Sequence, residues 1–252
     1  MPNPCRNGLG ISPWEICGKR MFSMEARYMS RVLVLVEGPT ERAIVERVFA
    51  PELGVKGVYL YARLVGKPGH KGGNRFATVR RELRALLHQE PGSVVTMLFD
   101  YYGLRNDWPG LSGAKGKNPE EIPAIVESAI AAAVAEEMGP GFNPNRFIPY
   151  VQLYEIESLL FAGPDEMAKV FNRSELEEEF RKIVEQCGGC EMINDGPETA
   201  PSKRIIGLFP AYKKGSSVNA HAYRIARHIG LERMRQSCPH FNEWVSKLEQ
   251  LM

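Results

Sequence analysis

At 252 residues, with 44% hydrophobic and 25% charged side chains, the chain has a globular composition and can bury a sizeable core. A formal net charge of +2 neither requires nor excludes a nucleic-acid partner, so any basic surface has to be local. No apolar run approaches the ~18 residues of a membrane span, no early apolar stretch reads as a secretory signal, and five cysteines do not read as a disulfide scaffold. A cytoplasmic location is the expectation.

Residues 1–28 scatter Pro, Gly and Cys without a period, and Met24 and Met29 both read as alternative starts. A poorly ordered extension is expected here; the other reading is an annexe that packs through Trp14 and Phe22. The chain then changes character. Val32-Leu33-Val34-Leu35-Val36 is a buried strand, and it runs directly into Glu37-Gly38-Pro39-Thr40-Glu41, a sharp turn. Ala43, Ile44, Val45, Val48 and Phe49 then keep helical spacing, with Thr40 as expected N-cap and Glu41 in the first turn.

A second strand is expected over 57–65, and a Gly- and cation-rich loop over 66–75. Apolar positions 76, 79, 83, 86 and 87 predict a helix over 76–88, and 94–99 a third strand that Asp100 ends. A Gly/Pro/Asn loop fills 101–118, and an Ala-rich helix follows over 119–138. A fourth strand over 146–153, weakened by Pro149, delivers Glu155 and Glu157. Beyond about residue 163 the pattern is helical, over 165–171, 174–186, 219–235 and 240–251, interrupted by a turn-rich loop at 187–203. Strands alternating with helices predict an α/β fold with a largely parallel sheet flanked by helices, followed by a helical C-terminal elaboration from about 163.

Three predicted strands thus deliver carboxylates at their carboxyl ends: Glu37, Asp100 and the pair Glu155/Glu157. Parallel strands place those ends on one sheet edge, where ligands collect in open α/β folds. Taken singly, each carboxylate reads as a solvated strand end or a helix N-terminal charge. Clustered, they repel one another unless a cation lies among them. Hard oxygen donors suit one or two Mg²⁺ or Mn²⁺ ions, and a pair of such ions can clamp both reacting oxygens of a phosphodiester.

These residues carry a resemblance. Glu37 in Val-Leu-Val-Glu-Gly-Pro-Thr-Glu, with a later apolar strand ending in Asp100, resembles the TOPRIM domain of topoisomerases, primases and OLD-family nucleases. The Glu-Gly-x-Thr-Glu form and Tyr154-Glu155-Ile156-Glu157 resemble the OLD nucleases more than the topoisomerases. Over about 31–250 the chain also resembles a family of small bacterial TOPRIM-like proteins known as domain of unknown function 4276, through 99–104, 152–161, 193–205 and 238–245. The resemblance implies that Glu37, Glu41 and Asp100 bind metal, with Glu155 and Glu157 at a second ion. It further implies metal-dependent hydrolysis of phosphodiesters, DNA in particular, in antiviral defence, with an ABC- or AAA-type ATPase as partner; homo-oligomers are compatible with it.

The chain departs from the TOPRIM pattern at one place. The second acid of the usual Asp-x-Asp is Tyr102, and a neutral phenol is a poor Mg²⁺ ligand. Either Glu41, Glu155 or Glu157 completes the shell, or the chain is a catalytically silent binding subunit of an ATPase complex.

Other groups have two readings each. Lys203, after Ser202 as expected N-cap, is either the cation that OLD-type nucleases keep near their metals or a solvated helix residue. Arg204 and Lys213 could hold backbone phosphates or be ordinary surface charge, and the same holds for Lys71 and Arg75 in the Gly-rich loop. That loop is not a nucleotide-binding P-loop, because no Gly-Lys precedes Ser or Thr in the required frame. Cys187 and Cys190, with Cys238 and His240, have zinc spacing but lack a second Cys-x-x-Cys, and 238–240 reads more simply as packing with Phe241 and Trp244. His221 and His228 are expected to be surface or packing residues, and no nucleophile elbow or HExxH motif is present.

Overall fold

A computed structural model describes residues 30–66, 75–194, 196, 198–215 and 220–252. The extension expected at 1–28 and the cationic loop around Lys71 lie outside the described residues. β1 (Ser30–Val36) owes its unbroken apolar run to being covered on both sides. Val32, Val34 and Val36 pack into one core, Leu33 and Leu35 into another, as a pleat with period two requires.

Gly38, not Thr40, caps α1 (Pro39–Ile44). Pro39 takes the first helical position, where its missing N–H costs nothing. The Thr40 hydroxyl instead accepts the Gly215 N–H at 2.9 Å. A π-helical turn, Val45–Phe49, joins α1 to α2 (Ala50–Val55). β2 (Val58–Leu64) returns parallel to β1, and α3 (Phe76–Gln89) crosses to β3 (Val94–Asp100) on the other side of β1.

A 3₁₀ turn, Tyr101–Gly103, and the short α4 (Leu111–Ala114) precede α5 (Glu121–Met138). The single strand expected at 146–153 is two short pieces, β4 (Phe147–Ile148) and β5 (Val151–Gln152), both parallel to β3. Pro149, which has no N–H to donate, falls at the interruption. Among the described residues the order is β2-β1-β3-β4, with β5 beside the carboxyl end of β3.

α3 and α5 cover the Leu33 face. The Val32 face is covered by α1, α2 and the C-terminal elements: a 3₁₀ segment Ile156–Ala162, α6 (Pro164–Phe171), α7 (Leu176–Cys187), α8 (Pro201–Leu208), α9 (His221–Ser237) and α10 (Pro239–Glu249). Gly230, at φ 75°, breaks α9, and Leu231 N–H then donates to Glu52 Oε1 at 2.9 Å. Trp244 anchors α10 to the sheet centre. Its indole donates to Thr96 Oγ1 at 2.9 Å and stacks on Tyr150 with ring centroids 4.6 Å apart. The elaboration is therefore part of the core that supports the sheet edge. No helix among the described residues is long and apolar enough to cross a membrane.

Candidate functional site

Because β1 and β3 are adjacent and parallel, Glu37 and Asp100 leave the sheet at the same edge. A cleft of about 300 Å³ opens there, lined by Glu37, Glu41, Asp100, Tyr102, Glu155 and Lys214, with Gly38 and Gly103 in its wall. Both glycines leave room for the carboxylates to approach the backbone closely. A Cβ on Gly38 would lie 2.8 Å from Glu41 Oε2, and one on Gly103 would lie 3.0 Å from Glu37 Oε2.

Glu155 reaches the cleft through a strained turn, and Glu157 follows it, buried and paired with Lys214. Tyr154, buried and bulky, has φ 63°, a left-handed conformation that such residues rarely adopt. Its carbonyl accepts the Tyr102 N–H at 3.0 Å, and Asp100 Oδ1 accepts the Ile156 N–H at 2.8 Å. These bonds hold the segment after β5 against the end of β3. Glu155 is held in turn by the first turn of α8, accepting from Ser202 N–H at 2.7 Å and Ser202 Oγ at 2.9 Å. Glu157, fully buried, accepts from the Tyr212 hydroxyl at 3.0 Å.

Lys214 provides the positive charge. Its Nζ lies 2.9 Å from Glu157 Oε1 and 3.5 Å from Glu155 Oε1. Burial opposes its charge, but Glu157, Glu155 and Asp100 outweigh that and hold the ammonium's pKa above its usual value. One lysine does not neutralise the group. Burial raises the Asp100 pKa well above the usual range, and repulsion from Glu41, Glu157 and Glu37 raises it further, against Lys214. Glu37 and Glu41 are raised first by burial, and Glu41 also by the charge of Glu37. Burial raises Glu157 too, with Lys214 opposing.

Of the two readings of Lys203, the exposed helix residue describes its place. Lys203 is exposed on α8 and does not line the cleft. α8 is capped by Ala200 with Pro201 at its first position, so Ser202 lies inside the helix and turns inward to Glu155. One residue further, about 100° around the helix, Lys203 faces elsewhere. Arg204 folds back on Thr199 O at 2.9 Å. Lys213 is exposed, and its backbone N–H donates to His221 Nδ1 at 3.0 Å. Lys214 follows Tyr212 by two residues in a stretch without regular structure, and both reach Glu157. Arg75, exposed at the start of α3, lines a separate cleft with Arg105, Asn106 and Asp107.

Most of the remaining candidates pack. Cys190 and Cys238 are buried with their thiols hydrogen-bonded to one another, and Phe241 and Trp244 are in the core. His221 stacks on Tyr212, while His228 is exposed, 4.0 Å from Glu166.

Among the described residues no three His, Cys, Asp or Glu side chains stand disposed as a ready metal cage. The chemistry of the donor set nonetheless fits a hard divalent cation: oxygen ligands, several carboxylates held against their own repulsion, and a buried Glu157 Oε2 without a hydrogen-bond partner.

The family described as domain of unknown function (DUF4276) matches residues 36–249, and the chain belongs to it. No curated protein and no solved structure shows a significant match.

Proposed function

We propose that this member of the DUF4276 family is a TOPRIM-like, divalent-metal-dependent nuclease, acting on DNA phosphodiesters. The observation that carries the proposal is the meeting of Glu37, Glu41, Asp100 and Glu155, from three separate parts of the chain, around one open cleft, with the buried Glu157 paired to the Lys214 that lines it. Keeping that many carboxylates together opposes folding, so the arrangement needs a reason beyond stability.

In this reading Glu37, Glu41 and Asp100 hold one Mg²⁺ or Mn²⁺, and Glu155 and Glu157 hold a second. When bound, such ions supply Lewis-acid stabilisation of charge on a phosphoryl oxygen. Ser202 orients Glu155 through its two hydrogen bonds. Lys214 takes the role expected of Lys203. Its ammonium stands at the cleft and offers a charge-assisted donor to a phosphate oxygen. Tyr102, 50% exposed at the cleft, places a phenol that can hydrogen-bond substrate or a ligand-bound water. The resemblance to OLD nucleases supports an ABC- or AAA-type ATPase partner and a defence setting. A chain without a P-loop of its own is compatible with that.

Purified protein, alone and with its ATPase partner, should nick or degrade plasmid DNA in Mg²⁺ or Mn²⁺ and stop in chelator. Glu37→Gln removes a charge with little change in volume and should abolish cleavage while the protein stays folded. Full cleavage by Glu37→Gln would reject the site. A second reading, a silent binding subunit, is favoured by the ion pairs of Lys214, which answer part of the acidic charge without any metal, and by Tyr102 in the place of an acid. It wins if calorimetry detects no divalent ion at millimolar concentration and Glu155→Gln and Glu157→Gln match wild type.

A further inference from the structure

Beside the acidic cleft lies a larger open one, about 500 Å³, lined by Arg75, Arg105, Asn106 and Asp107. Both open at the carboxyl edge of the sheet. The wall of the first includes Tyr102 and Gly103, and that of the second begins at Arg105 on the same loop. Two residues of chain span at most ~7 Å, so the two clefts adjoin.

The second cleft is built on fixed elements. The Phe76 N–H at the start of α3 donates to Asp107 Oδ2 at 3.0 Å, tying that helix to the loop after β3 and fixing Arg75 beside Arg105. Beneath them Trp108, buried, packs between Phe76 and Phe99 at centroid distances of 5.2 Å and 5.3 Å. Among the described residues the opening is lined by two arginines, an asparagine and one aspartate, whose Oδ2 accepts the Phe76 N–H. Guanidinium forks match phosphate oxygens. An open, shallow shape suits an extended polyanion better than a small enclosed ligand.

We propose that Arg75, Arg105 and Asn106 form a backbone-phosphate subsite for the nucleic-acid strand that enters the acidic cleft. This deepens the nuclease reading and rests on it. A strand with a phosphate every ~3.4 Å of axis crosses from one cleft to the other in about two or three nucleotides. The strand is held by its phosphates, without reading sequence, while the scissile bond lies among the carboxylates. Adjacent acidic and basic clefts then have complementary tasks, one for metal and one for the charge of the substrate.

The test is binding of a fluorescein-labelled 20-nucleotide DNA by anisotropy, in chelator, so that cleavage plays no part. Arg75→Ala/Arg105→Ala should weaken binding about tenfold near physiological salt and reduce the salt slope by about two. Arg105→Gln, which keeps most of the stem, should give a smaller loss in the same direction. Arg80→Ala/Arg84→Ala removes the same charge from a surface pair facing Glu137 and should bind like wild type. Equal binding by Arg75→Ala/Arg105→Ala and wild type, with unchanged unfolding midpoints, overturns the proposal. So does an equal loss in the Arg80/Arg84 control, which would show only a general effect of charge. Displacement of the DNA by inorganic phosphate at submillimolar concentration would mark a small-anion site and overturns it also. Failure of the nuclease reading shows differently: DNA binds through the two arginines, yet wild-type protein never cleaves it.

Discussion

Lys214 Nζ lies 2.9 Å from Glu157 Oε1, and Glu157 is fully buried while the lysine side chain is 44% exposed. The pair is therefore asymmetric: the lysine end borders solvent and the glutamate end does not. Lys214→Ala should destabilise the fold by about 1–2 kcal/mol, less than a fully buried pair because water reaches the vacated side. Chemical denaturation measures this. A millimolar divalent ion should restore more stability in the variant than it adds to wild type, since it answers the same buried charge.

Asp100→Asn should stabilise the protein at neutral pH. A carboxyl whose folded pKa is raised holds its proton more tightly when folded, so ionisation disfavours the folded state. That penalty is absent below about pH 4, grows as pH rises through the interval up to the raised pKa, and is complete above it. Asparagine keeps an oxygen for the Ile156 N–H. The gain expected at pH 7 is about 0.5–2 kcal/mol, shrinking towards pH 4 in thermal unfolding, with loss of metal-dependent activity.

Gly38→Ala and Gly103→Ala separate geometry from stability. Gly38, at φ −140°, is in a backbone region open to alanine. The new methyls would press on the ends of the Glu41 and Glu37 side chains, which can swing away. Stability should change by less than about 1 kcal/mol, while divalent-ion affinity falls at least about tenfold, read by calorimetry.

Tyr102→Phe should change metal-dependent cleavage only modestly, the loss of one hydrogen bond worth about 0.5–1.5 kcal/mol. Glu155→Gln and Glu157→Gln should weaken metal binding sharply, because each removes an anionic donor. A sharp loss in Tyr102→Phe with little change in the two glutamate variants would mean that the phenol, not the glutamates, fills the missing acid's place.

His240 Nε2 lies 3.1 Å from Glu127 Oε1 beneath the β5 end of the sheet. Burial lowers the imidazole pKa, but Glu127 and Glu191 outweigh that and hold it above its usual value. Stability from the pair is therefore fully present below about pH 6.5 and is lost as pH rises through the folded pKa. The thermal midpoint should fall over that interval, and His240→Gln should flatten the dependence while costing about 1–2 kcal/mol at pH 6. A wild-type profile as flat as the variant's contradicts it.

The parts of the fold readable in the sequence are those with a period. Val32–Val36 and Val94–Phe99 announce buried strands, and a strand's end fixes which edge Glu37 and Asp100 occupy. Pro149 signalled a weakened strand, and the chain splits there into β4 and β5. Lys214 was harder, because its place depends on how the stretch after α8 returns across the sheet edge, tied by Gly215 N–H to Thr40 and by Tyr212 to Glu157. No local pattern encodes those long-range bonds. Lys203 parts from its neighbour for a related reason: Ser202 reaches Glu155, and helical rotation carries the lysine away. The adjoining Arg75–Arg105 cleft was half legible, with Arg75 noted as a cation and Arg105 placed only by the loop after β3.

Whether the acidic cleft takes a divalent ion is the question on which the account turns. Anomalous diffraction from crystals soaked in millimolar Mn²⁺ answers it most directly. A peak among Glu37, Glu41 and Asp100, with Lys214 drawn away from Glu157 or a second peak beside Glu155 and Glu157, is the predicted result. A cleft without anomalous density, its carboxylates still gathered around Lys214, would contradict it.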